Sequence, residues 1–127
     1  MNEGAMQIGL VEDNEMVRNS YENLLKMHGL QPTCFESAEA LLDENADFKF
    51  DCMVIDLRLP GMNGYQLIQK LRSLHFKNKI VLISGNIDVQ MKDRVIDLDN
   101  VQLLNKPCMP AEFIDVVTQC AREKVAT

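Results

Sequence analysis

Asp51-Cys52-Met53-Val54-Ile55-Asp56-Leu57-Arg58-Leu59-Pro60-Gly61-Met62-Asn63-Gly64 begins as an apolar run, ends it on a carboxylate and then changes character. Residues 51–55 show no polar alternation, which reads as a short strand covered on both faces. Pro60 to Gly64 is dense in turn formers. Beyond it Leu67, Ile68, Leu71 and Leu74 fall at helical spacing. Strand, turn and helix within so short a stretch form one βα unit.

The same unit recurs on both sides. Residues 6–11 read as a strand, and 15–28 as a helix whose apolar face carries Val17, Tyr21, Leu24, Leu25 and His28, with Gly29 as its C-terminal cap. Thr33-Cys34-Phe35 lies in a second strand, and Ser37 is the N-cap expected for a helix bearing Ala38, Leu41 and Leu42. Residues 79–83 form a strand ending at Ser84-Gly85, and 88–98 a weaker helix. Residues 101–104 form a strand ending at Lys106-Pro107. Pro110 suits a first helical turn, and Phe113, Ile114, Val117 and Cys120 give the last helix its apolar face.

Five rounds of strand and helix with short links predict an α/β fold, a parallel sheet with helices on both faces. The length suits the open, doubly wound, flavodoxin-like order 2-1-3-4-5 better than a closed barrel. The 127 residues fit one domain, expected over 6–124 with a flexible leader over 1–5 and a tail over 125–127.

Composition narrows the function. Hydrophobic residues make up 46% and charged residues 25%, as in a globular chain. The longest aliphatic run is Ile80-Val81-Leu82-Ile83, far short of the about 20 apolar residues that span a bilayer. No secretion signal is visible at the N-terminus, so a cytoplasmic location is expected. A net charge of −6 argues against a grip on nucleic acid phosphates. The four cysteines, at 34, 52, 108 and 120, form no zinc pattern and read as buried free thiols. His28 and His75 have no metal-ligand neighbours.

In an open parallel sheet the strands' carboxyl ends share one edge, and ligands bind where the strand order reverses, here between strands 1 and 3. Glu12 and Asp13 follow strand 1, Asp56 follows strand 3, Ser84 strand 4 and Lys106 strand 5. Each has a plain alternative: Asp13 as a helix cap, Asp56 as a turn residue, Ser84 as a strand exit, Lys106 as a solvated strand end. Their joint convergence favours chemistry. Clustered carboxylates repel unless a cation sits among them, and an all-oxygen set suits Mg²⁺ or Mn²⁺. A lysine and a hydroxyl beside it suit a phosphoryl group, with Asp56 as the nucleophile.

Val11-Glu12-Asp13-Asn14, the stretch from Asp56 to Gly64, Ile83-Ser84-Gly85 and Lys106-Pro107, in this order and spacing, resemble the receiver domain of bacterial two-component (phosphorelay) response regulators. The resemblance implies phosphorylation of Asp56 from the phosphohistidine of a sensor histidine kinase or a phosphotransfer protein. It implies Mg²⁺ held by Glu12, Asp13, Asp56 and the backbone carbonyl of Arg58. Lys106 would touch the phosphoryl group, and Ser84 would be the hydroxyl that moves. It implies a cis bond between Lys106 and Pro107, and an output domain or a second copy on the face of residues 88–124. No membrane partner is implied, and no direct nucleic acid contact. The chain would not be a conventional enzyme, although it would catalyse its own phosphorylation and dephosphorylation.

Arg58 and Asn86, each two residues past a site residue, are expected to tune the phosphoryl lifetime. Leu103 stands where the family places an aromatic switch, and Asp97-Leu98-Asp99-Asn100 replaces its usual Gly-Ala, so the loop after Ser84 and segment 88–98 are expected to carry the read-out. That segment lacks a glycine cap and is expected to be the most mobile part of the fold. Rival readings fit less well. A haloacid dehalogenase phosphatase needs an acid where Arg58 stands. A flavin carrier needs a phosphate loop where Glu12 and Asp13 stand. A pseudo-receiver acting only as an interaction module would not need the acidic cluster.

Overall fold

The computed structural model describes residues 4–44, 48–85 and 88–124. Five strands, β1 (Gln7–Val11), β2 (Gln31–Phe35), β3 (Cys52–Asp56), β4 (Ile80–Ser84) and β5 (Val101–Asn105), alternate with five helices. These are α1 (Glu15–Met27), α2 (Ala38–Glu44), α3 (Gly64–Ser73), α4 (Val89–Ile96) and α5 (Pro110–Arg122). The strands are parallel throughout and stand in the order β2-β1-β3-β4-β5, as the sequence predicts. Asn86, and the leader and tail residues 1–3 and 125–127, lie outside the described residues.

Burial explains the arrangement. Every residue of β3 and β4 is buried, as inner strands between two helical layers must be, whereas the edge strands β2 and β5 are only partly covered. Alternate side chains feed two cores. Met53, Ile55, Ile80 and Leu82 pack with Leu41 of α2, Leu67, Ile68 and Leu71 of α3 and Val95 of α4. Cys52, Val54, Val81 and Ile83 pack with Leu25 of α1 and Phe113, Ile114 and Val117 of α5. Tyr21 stacks on Phe113 with ring centroids 4.6 Å apart, joining α1 to α5.

Local signals start and stop the helices. Asn14 Oδ1 accepts the Val17 N–H, and Ser37 Oγ accepts that of Ala40. Asn63 and Gln66 form a reciprocal capping box on α3, Asp88 caps α4, and Pro110 opens α5. Gly29, with φ +80°, ends α1 in the left-handed region that glycine enters freely.

Some expectations need correction. His28 is exposed at the C-cap of α1, because the helix stops one residue before it reaches the apolar face. Leu74 is likewise the C-cap of α3 and is exposed. Only Cys52 and Cys120 are buried; Cys34 on an edge strand and Cys108 in the β5–α5 loop are half-buried. The helix expected over 88–98 is a two-turn α4 that buries only Val95.

Gly64 opens α3 directly against the end of β3. A Cβ there would lie 2.5 Å from the Asp56 carbonyl oxygen and 2.8 Å from the Leu57 Cα, both backbone atoms that cannot swing aside. Gly64→Ala is therefore expected to destabilise the fold by about 1–3 kcal/mol, as overpacking does. Urea unfolding would measure this, and an unchanged midpoint would contradict the close packing of α3 on β3.

Candidate functional site

The sheet's carboxyl edge brings the predicted residues together through backbone hydrogen bonds between neighbouring strands. Glu12 N–H donates to Phe35 O (3.1 Å), extending β1 one residue past its formal end. Leu57 N–H donates to Ile83 O (2.9 Å), and Lys106 N–H to Ser84 O (2.7 Å). These bonds hold the strand ends in step, so Glu12, Asp56, Ser84 and Lys106 share one rim. The Lys106–Pro107 bond is cis, as expected.

Asp56 is the last residue of β3 and is only 8% exposed. Its two oxygens have different partners. Oδ1 accepts the Arg58 backbone N–H at 2.8 Å, and Oδ2 accepts the Lys106 ammonium at 2.6 Å. The ammonium also lies 3.7 Å from Glu12 Oε1. One carboxylate oxygen from each of Glu12, Asp13 and Asp56 lies within 4.8 Å of the other two. Asp13 is exposed and does not cap α1, since Asn14 fills that role, so the plain reading of Asp13 is set aside. Ser84 is 1% exposed, and its Oγ makes no hydrogen bond among the described residues. A buried hydroxyl without a partner is costly, and this one stands at the rim next to Lys106.

Two supports were not visible in the sequence. Arg18 of α1 donates from Nη1 to the Glu12 carbonyl (3.0 Å) and the Asp13 carbonyl (3.4 Å), bracing the acidic turn from behind. Glu39 of α2 accepts the Met62 N–H at 2.9 Å. Both are charged residues on helix surfaces, where the commonest role is solvation, and neither sits in a motif. Arg58, Asp13, Asp88 and Met91 line an open groove of about 460 Å³ between the β3–α3 loop and α4, at the mouth of the site. Leu103 is half-buried on the edge strand β5, packed against the core that lies under α4.

Electrostatics follow from this packing. Burial drives the Glu12 carboxyl up from 4.5 to about 8, and its hydrogen bond to Asp56 and the charges of Asp56 and Asp13 push the same way against Lys106. Burial alone would lower the Lys106 ammonium, but its hydrogen bond to Asp56 and the charges of Asp56 and Glu12 outweigh this and raise it. A site that must keep a proton on one carboxyl to limit repulsion is one that a divalent cation would relieve. The all-oxygen donor set fits a hard ion such as Mg²⁺.

The chain matches the response regulator receiver domain family over residues 8–118 and belongs to it. Members act in two-component signalling, where accepting a phosphoryl group is the family role, and the complete acidic cluster with its lysine weighs against an interaction-only module. The chain is 33% identical over 108 residues to nodulation protein W of Bradyrhizobium diazoefficiens, covering 85% of this chain and 48% of that protein. To the transcriptional regulatory protein FixJ of Rhizobium meliloti it is 30% identical over 119 residues, covering 94% and 58% respectively. It thus spans about half the length of the curated relatives it matches. The crystal structure of FixJ-N superposes with a TM-score of 0.85 at 30% identity, over 96% of this chain and 98% of that one. A CheY-like receiver from Methanospirillum hungatei shares the fold at a TM-score of 0.85 and 19% identity, over 94% of this chain and 95% of that one. Among the described residues no helix is long and apolar enough to cross a membrane.

The raised Glu12 carboxyl predicts a pH dependence. The folded, metal-free protein holds a proton that the unfolded chain releases near 4.5, so this contribution to stability is fully present below about 4.5 and is lost as pH rises through about 8. In urea unfolding with a chelator present, stability across that window should fall more steeply for the wild type than for Glu12→Gln. Parallel curves for the two proteins would show that Glu12 carries no such proton.

Proposed function

We propose that Asp56 is the phosphoryl acceptor of this receiver and that the whole site serves that transfer. The observation that carries the reading is the Lys106 ammonium, 2.6 Å from Asp56 Oδ2 and beside the Glu12–Asp13 pair. An Asp56 carboxylate oxygen attacks phosphorus, the bond from phosphorus to the donor's histidine nitrogen breaks, and the imidazole leaves with its electron pair. Lys106 turns from Oδ2 to a phosphoryl oxygen and offsets its charge. Ser84 Oγ, without a partner among the described residues, donates to another phosphoryl oxygen. Mg²⁺ or Mn²⁺, held by Glu12, Asp13, Asp56 and the Arg58 carbonyl, would supply charge neutralisation at the transferring group.

The donor is the phosphohistidine of a sensor histidine kinase or of a phosphotransfer protein, and the setting is the cytoplasm. The receiver unit spans residues 6–124. It is not a conventional enzyme, since it catalyses only its own phosphorylation and dephosphorylation. Read-out runs through the face of residues 88–124 to an output domain or a second copy. Leu103 does not act as a rotamer switch, because a leucine has no polar group with which to favour one state over the other. The motion falls instead to α4, which buries a single residue.

Incubation with Mg²⁺ and a small phosphoryl donor should add one acid-labile phosphoryl group to the wild type and none to Asp56→Asn, read by intact-mass spectrometry. Equal labelling of the variant would refute the assignment. Arg58 lines the groove through which a hydrolytic water must approach in line. Arg58→Ala should therefore change the dephosphorylation rate several-fold, and an unchanged rate would remove Arg58 from lifetime control.

A further inference from the structure

The loop from Leu57 to Asn63 carries the Arg58 peptide past the site, and its two ends are held differently. At its base, Gly64 N–H donates to Leu57 O at 2.9 Å, and the buried side chains of Leu57 and Leu59 plug the core. The outer part, Pro60-Gly61-Met62, has no regular structure, although the half-buried Met62 side chain packs against the core under α2 and α3. There the Met62 N–H finds its acceptor on another element, Oε2 of Glu39 in the first turn of α2.

The fit is specific. Gly61 takes φ +72°, which glycine adopts at little cost. The same oxygen of Glu39 occupies the space beside the Gly61 Cα, where a Cβ would lie only 2.8 Å from it. Met62 N–H, and then Glu39's own backbone N–H, hold this exposed carboxyl below its ordinary value, so it is an anion at neutral pH and a charge-assisted acceptor. Arg58, whose N–H fixes Asp56 Oδ1, lies between Leu57, held by Gly64, and Met62, held by Glu39.

We propose that Glu39 is a positioning residue for the phosphoryl-transfer site: its carboxylate fastens the β3–α3 loop to α2 and so holds the Arg58 peptide where Asp56 and a divalent cation need it. The proposal rests on the reading of Glu12, Asp13, Asp56 and the Arg58 carbonyl as the cation site. Glu39 itself touches neither the cation nor the phosphoryl group. Without it the Met62 N–H turns to water, the loop samples more conformations, and cation binding must order it again.

The test is a Mg²⁺ titration of the full chain followed by backbone NMR, with amide exchange across residues 57–63, for the wild type, Glu39→Gln and Glu39→Ala. Glu39→Ala should weaken Mg²⁺ binding about three- to tenfold, the size of one lost hydrogen bond. It should also speed exchange at Met62, while the urea midpoint barely moves, since the carboxylate is exposed. Glu39→Gln keeps the acceptor oxygen and should recover most of the affinity. Equal affinity in Glu39→Ala and the wild type, with or without faster Met62 exchange, overturns the proposal. So does a glutamine variant as weak as alanine, which would point to distant charge and not to the bond. A wild type that binds no Mg²⁺ would instead strike the cation-site reading itself, which keeps the two failures distinct.

Discussion

Three carboxyl groups with oxygens inside 4.8 Å of one another repel, and the fold has to hold them there. Everything around the rim can be read as an answer to that repulsion. β1 and β3 are adjacent, hydrogen-bonded strands deep in the sheet, so their ends cannot drift apart without breaking the ladder. Lys106 arrives from β5 and places one positive charge against Asp56 and Glu12. Glu12, the most buried of the three acids, answers with a carboxyl that keeps its proton toward neutral pH. The result is a centre poised to gain from any cation or phosphoryl group that rearranges its charge, which is how a strained electrostatic site becomes a functional one.

Stability and responsiveness are divided across the sheet. β3 and β4 are wholly buried and fix Asp56 at the end of β3. Toward the β5 edge the packing thins: Leu103 is half-covered, α4 buries only Val95, and Val89 and Ile96 stand largely exposed. The lower end of this region is nevertheless tied. The Arg72 guanidinium donates to the carbonyls of Phe76 and Asn78 before β4 and of Asp99 and Asn100 before β5, at 2.7 to 3.1 Å. The C-terminal end of α4 is thus tethered through the turn that follows it, whereas its N-terminal end adjoins the site. Motion in such an element is expected at its N-terminal end, where Val89 is exposed, more than near the buried Val95.

Loops carry as much of the design as strands do. Gly64 lets α3 begin in contact with β3, Asn63 caps that helix with Gln66, and Glu39 reaches across from α2 to the same segment. The chain covers about half the length of its curated relatives, so these devices concern the receiving unit and its surfaces, including the thinly packed face at α4 and β5.

The sequence by itself determined the element order, the parallel sheet and the identity of the rim residues. Those properties are local: apolar runs such as residues 52–55, helical spacing such as Leu67, Ile68 and Leu71, and punctuation such as Asn63-Gly64 act over a few residues. A parallel sheet then forces every strand's carboxyl end to one edge, so Glu12, Asp13, Asp56, Ser84 and Lys106 could be collected without coordinates. Only the tertiary structure decided what these groups do to one another. Nothing near Glu12 in sequence says that it is nearly sealed from solvent or shares a hydrogen bond with Asp56. Arg18 behind the acidic turn, Glu39 on the Met62 N–H and Arg72 across two loops are surface-type residues whose partners lie on other segments. Helical spacing also put His28 on an apolar face that it never reaches, because α1 ends first. Pattern is set within one element, whereas burial, charge and hydrogen-bond partnership are set between elements, and they exist only once the chain has closed on itself.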